Sequence, residues 1–210
     1  MVGAKTLTEL LSAEGLTVFR GERRLFHGLS FALKEGDSLL VQGQNGCGKT
    51  SLLRAIAGLL DLEEGNIRWK GKSIIKYRQD FHSEMVWFAH RVGFKNDLNL
   101  LENLSFETAL RSTFAGRLDE VLDRLGLTAL IELPLRVLSA GQQRRVALAR
   151  MLLSSARLWL MDEPLTNLDA AGQVLVVEII LDHVRRGGVC VLASHQPIEL
   201  DAAMQRIELL

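Results

Sequence analysis

The 210-residue chain has no excess of charge: 25 lysines and arginines stand against 25 aspartates and glutamates. A neutral balance provides no electrostatic footprint for nucleic acid, so no nucleic-acid partner is expected. Cysteine is scarce. Cys47 and Cys190 lie far apart, and neither belongs to a C-x-x-C, a C-x-x-C-H or a zinc-ligand spacing. That excludes a disulfide framework and points to a reducing, cytoplasmic setting. Long apolar runs are missing too, with none near the roughly 18 residues that span a bilayer. The opening MVGAKTLTELLSAEGL carries Glu9 and Glu14 and no extended apolar stretch, so a secretory leader is not expected. No repeat, low-complexity segment or linker divides the chain. The length suits one domain, with or without a subdomain, and is ample for a core. Any work at a membrane would run through a partner.

What is present is an alternation of strands and helices. Leu16–Phe19 and Leu29–Leu33 read as short strands. Ser38–Gln42 is an apolar run ending in a glycine-rich turn, which suits a buried strand. Lys49–Leu60 reads as a helix, Ile67–Trp69 as a strand entering a turn, and Met85–Ala89 as another short strand. The middle then changes character: 101–115, 117–125 and 142–154 all have helical spacing. Leu158–Met161 is a strand, Ala170–Arg186 a helix, Val189–Ala193 a strand, Pro197–Ala203 a short helix and Arg206–Leu209 a last strand. The fold class is α/β, one domain over 1–210 with a helical insert at roughly 90–154. Trp69, Trp87 and Trp159 are read as core residues.

Gly43-Gln44-Asn45-Gly46-Cys47-Gly48-Lys49-Thr50 matches G-x-x-x-x-G-K-[ST] between a predicted strand and a predicted helix, the context that motif requires. Its glycines let backbone N–H groups curl around a phosphate. Lys49 supplies a point charge to the β- and γ-phosphates, and the Thr50 hydroxyl suits Mg²⁺. Ser51 completes the nucleotide-binding set. A second signal is the strand Leu158–Met161, which ends in Asp162-Glu163-Pro164. An aspartate there can reach Mg²⁺ near Thr50, and the glutamate after it can polarise a water in line with the γ-phosphate.

The third signal is LSAGQQRRVALAR, 138–150. Ser139 is a good N-cap, and Gly141 keeps the backbone open to close approach. A helix start of this kind can bind an anion. A small chain with two such phosphate sites needs a reason for the second.

Together these motifs resemble the nucleotide-binding domains of ATP-binding cassette (ABC) proteins, over nearly the whole chain. The resemblance takes in the phosphate loop, LSAGQ in place of the usual LSGGQ, the Asp162-Glu163-Pro164 strand end, Thr166-Asn167-Leu168-Asp169 as the D-loop, and His195 as the switch histidine. Ala140 replaces a glycine, which is tolerable only at negative φ. His90 stands where a glutamine is usual, and Arg20, beside Phe19, stands where an adenine-stacking aromatic is usual. These departures, with Leu158-Trp159, Leu100-Leu101-Glu102-Asn103-Leu104, His195-Gln196-Pro197 and the short chain, are similar to the ATP-binding subunits of cytochrome c maturation complexes, which are of haem-exporter type.

The resemblance implies a P-loop NTPase fold with a mixed or parallel sheet core, an antiparallel β subdomain and the helical insert. It implies ATP and Mg²⁺, with Thr50 and Asp162 on the metal and Glu163, His195 and His90 as catalytic residues. Either Arg20 covers adenine, or Phe19 does; the alternative is Phe19 in the core and Arg20 in solvent. Ser139, Gly141, Gln142 and Asp169 would serve nucleotide held by a second copy of the chain, making a head-to-tail pair obligatory. The remaining partners implied are integral-membrane transporter subunits of the cytochrome c maturation system. They would hold the chain peripherally on the cytoplasmic side of the inner membrane, touching the insert near Phe94 and Leu98. A soluble mechanoenzyme is the competing class, disfavoured by the single cassette and the neutral charge.

Overall fold

The computed structural model describes residues 9–89, 93–111, 117–200 and 204–210, with side chains of 106–111 left out. Two sheets form the frame. Strands β1 (Glu9–Arg20), β2 (Arg23–Lys34), β4 (Glu64–Trp69) and β5 (Lys72–Ser73) make an antiparallel sheet ordered β2-β1-β4-β5. Strands β3 (Ser38–Gly43), β6 (Met85–Phe88), β7 (Leu158–Asp162), β8 (Val189–Ala193) and β9 (Met204–Leu209) make a second sheet ordered β6-β7-β8-β3-β9, parallel at every pairing.

Strands β3, β6, β7 and β8 of the parallel sheet are largely buried, which is why they read as apolar runs, whereas the edge strand β9 is half exposed. The pleat divides each strand between two cores. Leu39, Val41, Leu158, Leu160, Val189 and Val191 face helix α1 (Lys49–Ile56) and the antiparallel sheet, where Leu52, Leu53, Leu11 and Leu16 meet them. Leu40, Trp159, Met161, Cys190 and Leu192 face the opposite way, against Val146 and Leu148 of α5 (Ala140–Leu153) and Val176 and Ile179 of α6 (Ala170–Arg185). Burial among these side chains pushes the Cys190 thiol well above its ordinary pKa.

Several elements differ from the sequence expectation. Strands β1 and β2 extend well beyond the predicted cores because Gly15 and Gly28, at φ of 62° and 67°, sit inside them as irregularities. Helix α1 stops at Ile56, and Gly58 at φ of 67° follows its end. Helix α2 (Arg78–Ser83) was not anticipated. The described part of the expected 197–203 helix, residues 197–200, is not helical. The insert carries α3 (Leu100–Arg111), α4 (Leu118–Arg124) and α5. Trp69 and Trp159 are buried, and Trp87 is half-buried.

Candidate nucleotide site

The parallel topology directs the carboxyl ends of β3, β7 and β8 to one edge, where they and the N-terminus of α1 frame a cavity of about 410 Å³. It is lined by Asn45, Gly46, Gly48, Lys49, Thr50 and Ser51 of the loop, Asp162 and Glu163 from the end of β7, and His195 beyond β8; Arg20, Leu25 and Thr166 flank it. Gly43 cannot be replaced there: at φ of 146°, an added Cβ would lie 2.3 Å from the Leu209 carbonyl oxygen and 2.7 Å from Cys47 Sγ. Cys47 is thereby a packed part of the loop. Gly48, at φ of 117°, is the N-cap of α1 and brings no side-chain acceptor, and the first turn carries no acid. The helix start is left to external anions.

Lys49 is 7% exposed, and its Nζ donates to the carbonyl oxygens of Gly43 at 2.7 Å and Gln44 at 3.1 Å, which holds the loop curled around the ammonium. Thr50 Oγ1 donates to Asp162 Oδ2 at 2.8 Å. A hydroxyl and a carboxylate brought together in this way form an oxygen set suited to Mg²⁺ shared with substrate phosphates.

Glu163 is held from every side. Its φ is +51°, a left-handed conformation that a residue with a Cβ adopts at a cost of roughly 1–3 kcal/mol. Its N–H donates to the Ala193 carbonyl at 2.8 Å, and its carbonyl accepts from the Arg144 guanidinium. Its carboxylate accepts from the His195 N–H at 3.1 Å, pairs with His195 Nδ1 at 2.7 Å, and lies 4.0 Å from Lys49 Nζ. A carboxylate placed between a lysine and an imidazole at the rim of a phosphate loop has the geometry to accept a proton from water.

The predicted residues fall into two groups. Asn45, Gly46, Gly48, Lys49, Thr50 and Ser51 of the loop, the β7 end, His195 and Arg20 converge on the cavity, while Gly43, Gln44 and Cys47 of the loop do not line it. Phe19 does not line it and is 44% exposed, so it is not a core residue. Ser139, Gly141 and Gln142 are not among the residues that line the cavity. Ser139 caps α5 in a capping box: its Oγ accepts from the Gln142 N–H at 3.2 Å, and its own N–H donates to Gln142 Oε1 at 2.8 Å. Ala140 is free of positive φ, so the alanine is accommodated. Asp169 caps α6, accepting from the Gly172 N–H at 2.9 Å. His90 lies outside the described residues.

The sequence reading missed two buried polar residues, Arg144 and Asn103, and the half-buried Arg150. Arg144 is 3% exposed, and its guanidinium carbon stands 4.9 Å from the centre of the Phe88 ring. Burial pushes its pKa below the ordinary value, while the charges of Glu163 and then Asp162 pull it back. Arg150 donates to the Trp87 carbonyl at 3.1 Å and lies over Phe94. Asn103 ties down the 95–99 loop, its Nδ2 donating to the carbonyls of Lys95, Leu98 and Asn99. Only the buried Asn103 hinted at itself, standing one helical turn after Asn99 on an apolar face.

Comparison with known proteins agrees with this geometry. The ABC transporter family model matches residues 26–166. The chain is 45% identical over 192 residues to the cytochrome c biogenesis ATP-binding export protein CcmA of Methylococcus capsulatus, covering 90% of this chain and 93% of that protein. It is 41% identical over 199 residues to the same-named protein of Vibrio vulnificus, covering 94% and 97%. In fold it is similar to an ATP-binding protein of Pyrococcus furiosus ascribed to an ABC transporter, with a TM-score of 0.82 at 23% identity over 95% of this chain and 96% of that one. With the phosphate loop, the acidic β7 end and the capped α5 all in place, the chain belongs to the ABC transporter family, as an ABC-type ATPase.

Proposed function

We propose that this chain is the ATP-hydrolysing subunit of a bacterial ABC complex for cytochrome c biogenesis, working as a head-to-tail pair on the cytoplasmic side of the inner membrane. The observation that carries the chemistry is the convergence of Lys49, Thr50, Asp162, Glu163 and His195 on one cavity. The names of the relatives support the biological setting.

In this reading the loop N–H groups of 43–51 and Lys49 bind the phosphates, and Arg20 covers the adenine. Mg²⁺, held by Thr50 and Asp162, would neutralise phosphate charge. Glu163 is the general base that takes the proton from the attacking water, and His195 orients that carboxylate and meets the γ-phosphate. Ser139, Gly141 and Gln142 would serve the nucleotide of the second copy; that they do not line their own cavity supports this. Asp169, which caps α6, would serve the same partner nucleotide. His90 links the site to the helical insert.

Integral-membrane subunits of the cytochrome c maturation system receive the motion. Asn103 holds the 95–99 loop beside Phe94 and Leu98, a fixed surface suited to docking them. Among the described residues no helix is long and apolar enough to cross a membrane, so the attachment is through those subunits. The step driven is haem export or release of a haem-loaded chaperone.

The test is Glu163→Gln. Turnover should fall by roughly 10²- to 10⁴-fold, with ATP binding retained. Wild-type turnover in that variant would refute the assignment. Affinity purification from membranes should bring down integral-membrane partners, and loss of the subunit should stop cytochrome c assembly.

A further inference from the structure

Arg144 has no role in the reading above, yet it is the most deeply buried arginine in the described chain and belongs to the same helix as Ser139 and Gln142. Five residues separate it from the Ser139 cap, about 7 Å along the helix axis. Its guanidinium donates to the carbonyl of Glu163 and is stacked over Phe88, the last residue of β6. The helix is buried on several sides, through Val146, Ala147, Leu148, Ala149, Met151 and Leu153, so it moves as a unit with this side chain. A second tie, from Arg150 to the Trp87 carbonyl, fixes the other end of the helix to β6.

Glu163 needs such a tie. Its left-handed backbone is disfavoured, and its N–H and carbonyl are anchored by different elements, β8 and α5. Release of the carbonyl would let the peptide relax and carry the carboxylate away from His195 and Lys49. We propose that Arg144 is a positioning residue for Glu163, through which the helix that reads a partner's nucleotide at its N-terminus sets the geometry of the general base in its own site. Each protomer then carries a rigid link between the two nucleotide sites of the pair. This inference rests on the roles given to Glu163 and to the 139–142 helix start.

A double-mutant cycle on the full chain tests it, with single-turnover ATP hydrolysis and ADP affinity as the readouts. Arg144→Gln should lower turnover about 10-fold or more, the loss that follows removal of a charge-assisted hydrogen bond. ADP affinity should stay within about 2-fold, because no loop contact is touched. Arg144→Lys, which keeps a donor for the carbonyl, should recover part of the turnover. In a Glu163→Gln background, Arg144→Gln should cost nothing further. Unchanged turnover in Arg144→Gln, multiplying effects in the double variant, or a parallel fall in ADP affinity would overturn the proposal while leaving Glu163 as the base. Retained turnover in Glu163→Gln alone would overturn both.

Discussion

Gly141 makes the head-to-tail pairing testable by a substitution whose effects have opposite signs in two assays. It occupies the second position of α5, outside the left-handed region, and a Cβ built on it would meet only the Asn167 carbonyl oxygen, at 3.5 Å. That is ordinary van der Waals contact. Within one protomer, Gly141→Ala therefore removes backbone freedom from the unfolded chain and adds no strain, a gain of about 0.5–1 kcal/mol. For a chain of this size the melting temperature should rise by about 1–4 °C. Across a pair the methyl group would stand between the α5 N-terminus and the partner's γ-phosphate. Loss of one charge-assisted hydrogen bond is worth about 1.5–3 kcal/mol, or about 10- to 100-fold in association for each nucleotide sandwiched. The assay is ATP-driven dimerisation, followed by light scattering in the Glu163→Gln background so that nucleotide persists, beside thermal unfolding of the nucleotide-free chain. Intact dimerisation in Gly141→Ala would mean that nothing approaches this position. A fall in melting temperature would mean that the space is needed by the protomer itself.

Further predictions concern parts of the molecule with separate duties. His183 stacks on Trp159 with ring centres 3.8 Å apart, and its pKa is pushed down to about 4, chiefly by burial, against the hydrogen bond to the Arg157 carbonyl. The unfolded chain takes up that proton near pH 6.5, so the contribution to stability is fully present above that pH and lost as pH falls towards 4, up to about 3 kcal/mol. His183→Phe, which keeps the stack, should flatten the urea midpoint between pH 7.5 and 4.5; an unaltered slope would refute the account. Arg20 lines the nucleotide cavity and Phe19 does not. Arg20→Ala should weaken ATP binding by about 2- to 5-fold, whereas Phe19→Ala should leave it unchanged by calorimetry.

What could be read from the chain followed from how locally each feature is determined. The phosphate loop and the β7 end are consecutive residues between a strand and a helix, so the motif and its context are both visible in sequence. Four strands of the parallel sheet, β3, β6, β7 and β8, are short apolar runs, visible for the same reason, but the sheet order β6-β7-β8-β3-β9 is set by crossovers that no local pattern records. The antiparallel strands were read short because Gly15 and Gly28 interrupt the alternation while the chain continues through them. Helix α2, Arg-Gln-Asp-Phe-His-Ser, buries only Phe81 and has no side-chain cap, so neither periodicity nor a start signal marks it. Arg144 looks like one more solvated arginine in Gln-Gln-Arg-Arg. Its burial comes from β6 and β7 closing over α5, a tertiary event.

Two glycines bear differently on the proposed pairing. Gly43 is fixed by its own fold: a side chain there would collide with the Leu209 backbone, and the φ of 146° excludes other residues. Its presence needs no ligand to explain it. Gly141 has room for a side chain and an ordinary helical φ, so neither sterics nor conformation in this chain requires glycine, and helix propensity argues against it. Ser139 and Gln142 differ from it, since a full capping box accounts for both within the chain. A helix capped at its N-terminus, yet open at its second residue, leaves room for the close approach that the proposed pairing requires. The anion-binding character of such a start would complement a phosphate held by Lys49 on another copy, and the proposed pair would account for a glycine that the single chain does not.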